Sequence, residues 1–296
     1  MIPTVTTSKQ KTKMKNYIKF FSLILIMIAS QSGFAQSSNE FTIPLTDPAK
    51  RGKLKAHLNS GSITVKGTSR KDVLIRYSVD EDEDDDHKVK VKHKHDNDND
   101  GDDNRSGLKR IGGGGLDFTV TEHQNTVNAQ SDSWNQEMKL EVEVPMGFDL
   151  QLHTYNNGDL LATNIQGQLE LTNYNGEITA LNISGSVVAT TYNGEIKITY
   201  DKVTENTPMS YSTYNGDVDL TYPANYKASF KIKTEQGDIY SDFDVQFTST
   251  GPVQKTDSKN GVRKVVVDEW KRCDINGGGA EIAIRNYNGD ILIRKK

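Results

Sequence analysis

The stretch that decides the fold is "TNYNGEITALNISGSVVATTYNGEIKI", residues 172–198, because it carries one pattern twice. The segment Tyr174-Asn175-Gly176-Glu177-Ile178 returns eighteen residues later as Tyr192-Asn193-Gly194-Glu195-Ile196. Glycine also recurs at every ninth position in this region, at residues 158, 167, 176, 185 and 194. A fixed period of this kind is typical of chains whose successive units stack on one another. The pattern therefore predicts a scaffold built from repeats.

Apolar side chains alternate with polar ones inside each nine-residue unit. Aliphatic residues stand two positions after each glycine, at Leu160, Leu169, Ile178, Val187 and Ile196. Further apolar residues stand four positions after it, at Ala162, Leu171, Ala180, Ala189 and Ile198. This period of two predicts short strands with one buried face. The Asn-Gly pairs predict tight turns between them, because both residues accept a left-handed backbone. We expect an all-β protein.

Two architectures fit such strands. One is a β-solenoid, a β-helix-like stack of short strands with an 18-residue (2 x 9) repeat, and the other is an antiparallel β meander or sandwich with Asn-Gly hairpins. The solenoid is favoured because small side chains suit the thin interior of a two-walled coil, and alanine occupies three inward positions, Ala162, Ala180 and Ala189. In a solenoid, Asn164 would lie on Asn182 and Tyr174 on Tyr192, since the members of each pair are eighteen residues apart.

Looser copies of the pattern extend it in both directions. They begin at Tyr214, Glu235 and Tyr287, each followed by a turn glycine, an aspartate and an aliphatic residue, and a fainter copy lies at Asn59-Ser60-Gly61. The alternating runs 139–144 and 262–267 predict longer strands. We therefore interpret residues 36–296 as a single β-repeat domain.

The first residues have the layout of an export signal. Lysines at 11, 13, 15 and 19 precede the apolar run "FFSLILIMIA" at 20–29, and small residues lead to Ala35. This layout predicts a cleaved signal peptide at 1–35. The apolar run is about half the roughly 20 residues that a spanning helix needs, so we expect no integral membrane protein after cleavage. The destination would be the periplasm, the outer cell surface or the medium.

Cysteine usage and charge narrow the class of protein further. The single cysteine, Cys273, excludes an internal disulfide framework, lies too far from the signal for a lipid anchor, and is expected to be buried. Removing residues 1–35 takes away five lysines and no acid, which leaves 31 basic and 40 acidic residues, a net charge of −9. A nucleic-acid partner is not expected, because phosphate binding needs a basic surface.

A charged, low-complexity insert occupies residues 80–115, and such runs are typical of disordered loops. Asp96, Asp98, Asp100 and Gly101 match the opening of a calcium loop, but the position of its bidentate glutamate holds Gly107. The histidines at 87, 93 and 95 alternate with lysine and offer no preformed site for zinc or nickel. We expect no metal site and no cofactor.

Two rows of repeated side chains are candidates for a functional site. One is acidic: Glu177, Glu195, Asp217, Asp238 and Asp290. Glycoside hydrolysis needs two carboxyl groups with different pKa values, whereas identical positions in successive units give similar surroundings, so we expect no enzyme and no catalytic residue. The other row is aromatic: Tyr155, Tyr174, Tyr192, Tyr214 and Tyr287. These rings either stack on sugars or cover the end of a thin core.

Three segments carry a family resemblance. They are "LEVEVPMGFDLQLHTYNNGDL" (140–160), "YPANYKASFKIKTEQGDIYSDF" (222–243) and "NGGGAEIAIRNYNGDILIRKK" (276–296). In this order they resemble a bacterial "putative adhesin" family with β-strand repeats, itself of unknown function and common in Bacteroidota-type envelopes. The resemblance covers 41–79 faintly and 116–296 well, and the charged stretch 80–103 departs from the family pattern.

The resemblance implies an exported β-helix-like domain at the cell envelope, without catalytic residues. The predicted function is accordingly a non-catalytic envelope or secreted scaffold, or an adhesin, whose partner is a surface protein or a glycan. Two alternatives remain open: a carbohydrate-binding module that uses the tyrosine row, and a periplasmic partner of an envelope-stress system. Open strand edges at the coil ends also suggest self-association.

Overall fold

The described part of the chain is built from strands. The structure, a computed structural model, describes residues 39–79, 117–249, 253–259, 262–268 and 270–296. Glu40–Lys296 form one compact unit. These described residues contain no helix, and so none that could cross a bilayer. The prediction of an all-β protein is thereby confirmed. The predicted signal peptide (1–35) and insert (80–115) lie outside the described residues, and the domain boundaries stay predictions.

The strands are short and most alternate between buried and exposed side chains. In chain order they are β1 (Glu40–Pro44), β2 (Lys53–Thr68), β3 (Asp72–Val79), β4 (Thr119–His123), β5 (Thr126–Ser131), β6 (Met138–Pro145), β7 (Asp149–Asn156), β8 (Leu160–Thr163), β9 (Gln168–Asn173), β10 (Ile178–Thr190), β11 (Ile196–Val203), β12 (Met209–Asn215), β13 (Val218–Tyr222), β14 (Ala228–Gln236), β15 (Ile239–Ser241), β16 (Thr248–Ser249), β17 (Val253–Lys259), β18 (Val262–Asp268), β19 (Lys271–Ile275), β20 (Ala280–Asn288) and β21 (Ile291–Lys295).

Nineteen of these strands form one continuous sheet that makes two walls, since β2 and β10 each run through both. Wall 1 has the order β1-β3-β6-β2-β8-β10-β11-β13-β21-β15. Wall 2 has the order β4-β5-β2-β7-β9-β10-β12-β20-β14-β19-β16. The remaining strands, β17 and β18, pair with each other.

The core consists of the inward side chains of both walls. Leu169, Ile178 and Val187 are each at most 2% exposed, as predicted. The three predicted interior alanines are likewise fully buried. Burying a leucine or isoleucine contributes about 1.5–3 kcal/mol, so a column of them in every layer is the main stabilising term of the fold.

Strands in the middle of both walls pair in parallel. Ile178 has Leu160 as its partner on one side and Ile196 on the other, each eighteen residues away. The Asn175-Gly176 turn accordingly leads from wall 2 into wall 1 and does not close an antiparallel hairpin. Antiparallel pairs lie near the ends of the walls, at β1–β3, β3–β6 and β4–β5 on one side and β14–β19 and β16–β19 on the other.

The layers do not all follow chain order. A layer is here one strand segment of wall 2 followed along the chain by one segment of wall 1. The spatial order of the layers is β5–β6, β2, β7–β8, β9–β10, β10–β11, β12–β13, β20–β21 and β14–β15. The expectation that each coil lies on the one before it is therefore wrong at both ends of the stack. The last strands of the chain insert between two earlier layers, where Tyr287-Asn288-Gly289 continues the column of Tyr214-Asn215-Gly216.

We predict that deleting residues 280–296 abolishes the cooperative thermal transition followed by circular dichroism. The deletion removes a layer from the interior of the stack, so that β12–β13 and β14–β15 each lose the hydrogen-bonding partners on the side that faces this layer. Deletion of residues 40–44 is the matched control, because β1 pairs only with β3 at an edge. This control should lower Tm modestly and keep the transition sharp. Equal effects of the two deletions would contradict the interior position of β20 and β21.

Turn glycines lie where neighbouring layers approach most closely. At Gly194 the backbone has φ +155°, and a Cβ there would overlap the carbonyl oxygen of Gly176 in the next layer. That oxygen also accepts a hydrogen bond from the hydroxyl of Thr191, at 3.0 Å. A side chain at this position would therefore separate the two layers.

We predict that Gly194→Ala lowers the free energy of unfolding by about 3 kcal/mol, as measured by urea denaturation. The cost arises from the clash with the backbone of Gly176 together with the unfavourable φ. Gly147→Ala is the control, since a Cβ at Gly147 meets nothing within 4 Å. It should change stability by less than about 0.5 kcal/mol. A harmless Gly194→Ala would show that the layers are not in close contact there.

Candidate functional site

The candidate site is the edge at which wall 2 turns into wall 1, where tyrosines from successive layers stack. We call these five residues the tyrosine ladder: Tyr155, Tyr174, Tyr192, Tyr214 and Tyr287. Neighbouring ring centroids are 4.5–5.1 Å apart, and neighbouring ring planes differ by 2–5°. Each side chain is 37–41% exposed. The expected contact between Tyr174 and Tyr192 is present, but the rings cover one another at the surface instead of closing the core.

The alternation and spacing of the strands explain why the tyrosine ladder lies at the surface and why its rings stack. In each layer the residue before the tyrosine points inward and is buried, as Asn173 is, so the tyrosine points outward. Paired strands are about 4.7–4.9 Å apart, which is close to the stacking distance of aromatic rings. Identical residues in register on parallel strands must therefore stack, and each pair contributes about 0.5–1.5 kcal/mol.

An asparagine ladder runs beside the tyrosine ladder. The Nδ2 atom of Asn175 donates to Oδ1 of Asn156 at 2.9 Å, and Asn193 donates to Asn175 at 2.8 Å. The same bond continues from Asn215 to Asn193 at 2.7 Å, and Asn288 extends the row to Asn215 at 3.4 Å. These turn amides therefore join the layers to one another.

A third column, which the sequence interpretation missed, lies inside the turn. Buried side chains here donate to the carbonyl oxygen of a turn glycine in the neighbouring layer. The donors are Thr154, Asn173, Thr191, Thr213 and Asn286, and the acceptors are Gly61, Gly158, Gly176, Gly194 and Gly216 in that order. The available signal was a threonine or asparagine three residues before most of the turn glycines.

The repeated acids form a row that follows the turns, and aspartates at this position, Asp159 included, accept hydrogen bonds from the next layer. Oδ1 of Asp159 accepts the backbone N–H of Glu177 at 2.8 Å, and Asp217 accepts that of Asp290 at 2.8 Å. Partial burial raises the pKa of the Glu195 carboxyl; Lys197 opposes this effect and Glu177 adds to it. The carboxylates of Asp159, Asp217 and Asp290 thus cap the next layer.

No group of three or more histidine, cysteine, aspartate or glutamate side chains in the described residues is arranged to hold a metal ion. The sequence candidates Asp96, Asp98, Asp100 and Gly101, and the histidines at 87, 93 and 95, lie outside those residues.

The ladder offers ring edges and hydroxyls to solvent, whereas the faces of its three inner rings are covered. Trp134 lies edge-on to Tyr155, with centroids 5.2 Å apart and an interplanar angle of 79°, and is 55% exposed. Tyr174, Tyr192 and Tyr214 each have a stacked ring on both sides. A sugar binds an aromatic side chain through an open face. Stacking of a glycan on the inner rings is therefore blocked by the ladder itself.

A second tyrosine cluster, not foreseen from the sequence, lies in the core. Tyr200, Tyr211 and Tyr222 have no solvent exposure, and the hydroxyls of Tyr200 and Tyr211 are 2.6 Å apart. Burial raises the pKa of all three phenols well above 10. Cys273 is buried as predicted, and burial raises the pKa of its thiol to about 11, so the thiolate that nucleophilic chemistry needs is absent near neutral pH.

Two histidines meet on the outer surface of wall 2. His57 in β2 and His153 in β7 are register partners, and their Nδ1 atoms are 3.0 Å apart. Nε2 of His57 lies 3.0 Å from Oδ1 of Asn59. His57 therefore donates through Nε2 and accepts at Nδ1 from His153. Burial lowers the pKa of His153, and the neighbouring charge of His57 lowers it further.

We predict that the protein loses stability as the pH falls below about 6.5, the ordinary histidine value. The pKa of His153 is lowered on folding, so in this window the unfolded chain binds more protons, and the free energy of unfolding decreases with falling pH. The measurement is Tm from thermal melts at pH values between about 5 and 8, a range that spans the ordinary histidine pKa.

The variant His153→Gln should flatten the dependence of Tm on pH. His123→Gln is the control and should retain the dependence, because the exposed His123 lies on β4, away from the pair. An unchanged pH dependence of Tm in His153→Gln would contradict His153 as the source of the effect.

Comparison with known proteins identifies a family. Residues 4–269 match the family described as Toastrack DUF4097. Two crystal structures are also similar, each at 12% identity: a "putative cell adhesion protein" from Clostridium sporogenes (TM-score 0.36, covering 88% of this chain and 100% of that one) and a "putative adhesin" from Bacteroides fragilis (TM-score 0.29, covering 89% and 100%). Among curated proteins, none matches. The match includes the first two of the three quoted segments, 140–160 and 222–243, and confirms the family resemblance. The chain belongs to the Toastrack DUF4097 family.

Proposed function

We propose that this protein is a non-catalytic, exported β-solenoid that serves as an envelope scaffold or adhesive surface. The observation that carries the proposal is the use of side chains at the turn edge. The tyrosine ring faces, the turn amides and several of the acids are all engaged with the neighbouring layer. Groups committed in this way build a wall and are not free to act on a substrate.

The register of the strands supports the solenoid. Asn193 bonds Asn175 across eighteen residues, as an 18-residue coil requires. The next bond, from Asn215 to Asn193, spans 22 residues, because the chain between β11 and β12 is longer. The strict nine-residue period thus belongs to the central layers, and later layers keep the column while changing the length between turns.

The absence of catalysis is part of the proposal. A carboxyl pair for hydrolysis requires one acid and one base in different surroundings. Aspartates at the turns instead repeat one structural role, as the equivalent bonds of Asp159 and Asp217 show. The buried Cys273 with its raised pKa offers no nucleophile.

Export and adhesion rest on the sequence and on the family. The signal layout of residues 1–35 directs the chain to the periplasm, the outer surface or the medium. A flat stack of strands suits an extended partner, which would be a surface protein or a glycan. A glycan partner would have to use the ring edges or another part of the wall. A role beside an envelope-stress protein would instead keep the domain in the periplasm, and the strands at the stack ends, β1, β4, β15 and β16, are candidates for self-association.

We predict that protease added to intact producing cells removes the domain and lowers attachment of the cells to their surface or partner cells. Immunoblotting and an attachment assay are the measurements, and permeabilised cells are the control for access. A domain that is cleaved only after permeabilisation, in cells that attach normally, would contradict the adhesive role and favour a periplasmic one.

The glycan alternative has a separate readout. Tyr192→Ala and Tyr192→Phe are compared on a glycan array, because only the first removes the ring. Glycan retention by both variants that equals retention by the parent protein would exclude the tyrosine ladder as a sugar site.

A further inference from the structure

We propose that the tyrosine ladder is a site of oxidative cross-linking, at which a one-electron oxidant joins neighbouring rings as dityrosine. The natural oxidant class is hydrogen peroxide acting through a peroxidase. The product would tie adjacent layers together covalently in a chain that contains a single cysteine and therefore no internal disulfide.

The ladder brings reactive carbons together without any diffusion of the partners. The rings of Tyr174 and Tyr192 lie in nearly parallel planes, at 5° to each other, and their centroids are 5.1 Å apart. Equivalent ortho carbons of the two rings are therefore separated by about the same distance. The Tyr214–Tyr287 pair is closer, at 4.5 Å and 4°. Groups held in contact in this way react as if at very high local concentration. The two surface side chains must still rotate out of the stack until their ortho carbons meet.

Solvent exposure makes the rings of the tyrosine ladder accessible to an oxidant, in contrast to the tyrosines of the core. Ladder members are 37–41% exposed and so are open to an oxidant. The core phenols Tyr200, Tyr211 and Tyr222 have no exposure and are protected. Tyr240 is 52% exposed but stacks on no aromatic ring in the described part of the chain, so a radical there has no neighbour to join.

The chemistry balances as follows. Each of two phenols gives up one electron and one proton, leaving two phenoxyl radicals. Their unpaired electrons pair in a new C–C bond between the carbons ortho to the oxygens, and the hydrogen on each of those carbons then moves to the oxygen. Two electrons and two protons are lost in total. Hydrogen peroxide accepts both, since H₂O₂, 2 H⁺ and 2 e⁻ give two molecules of water.

The cross-link between Tyr214 and Tyr287 should stabilise the fold more than the others. A bond between Tyr214 and Tyr287 joins residues 73 positions apart and fixes the inserted C-terminal layer to β12–β13. Closing a long loop restricts the unfolded chain more than closing a short one. The link between Tyr174 and Tyr192 closes only eighteen residues and should stabilise less.

The test oxidises the purified protein with peroxidase and hydrogen peroxide at low protein concentration. Dityrosine fluorescence, electrophoresis under denaturing conditions and peptide mapping are the measurements. We expect dityrosine within molecules of monomer size and a Tm several degrees higher. The Tyr214–Tyr287 link should join tryptic peptides 203–227 and 286–294, which end at Lys227 and Arg294. A glutamate-specific protease, cutting after Glu177, reveals the link between Tyr174 and Tyr192.

A double variant makes the test specific. Tyr174→Phe combined with Tyr214→Phe keeps all five stacked rings but leaves no two neighbouring phenols, so dityrosine should fall at least tenfold while the unoxidised Tm stays close to that of the parent. Tyr240→Phe is the matched control and should leave the yield unchanged. Dityrosine that persists in the double variant, that forms only between molecules, or that does not form at all would overturn the proposal.

Discussion

The separation of hydrogen-bonded strands is the constraint on which this molecule depends. Backbone pairing fixes neighbouring strands at about 4.8 Å, and every column at the turn edge works at that distance. Aromatic rings stack at it, side-chain amides bridge it, and a glycine carbonyl is reached across it by a threonine or asparagine from the adjoining layer. The repeat in the sequence follows from this distance: in the central layers a tyrosine, an asparagine and a glycine in one layer meet the same three residues in the next.

Stability at the turn edge therefore comes from like residues meeting like residues. A single asparagine amide donates to one neighbour and accepts from the other, so that Asn193 contacts Asn175 and Asn215 with good geometry. The acids are the exception, because equal charges on successive layers repel. The structure offsets this by giving several of them a backbone N–H to accept, as for Asp159. Partial burial and the neighbouring acids raise the pKa of Glu195. The ionised form of this carboxyl is therefore less favourable in the row than in water.

Local features of this fold were predictable, and features that depend on distant parts of the chain were not. Alternation identified Leu169, Ile178 and Val187 as inward residues, and the eighteen-residue spacing placed Tyr174 against Tyr192. The contact between Tyr214 and Tyr287 follows no fixed period, since it requires β20 to insert between β12 and β14. The pairing of His57 with His153 and the burial of Tyr200 also depend on which layers become neighbours, and that information is not present in any short segment.

The interior position of the final strands has a consequence for biogenesis. A ribosome makes β20 and β21 after the strands of both flanking layers, since they follow β12 to β15 in the chain. Until those residues emerge, the strands that will flank them expose unpaired backbone groups on facing edges, β12 and β13 on one side, β14 and β15 on the other. The two flanking layers therefore reach their final pairing only after β20 and β21 have been made and have inserted between them.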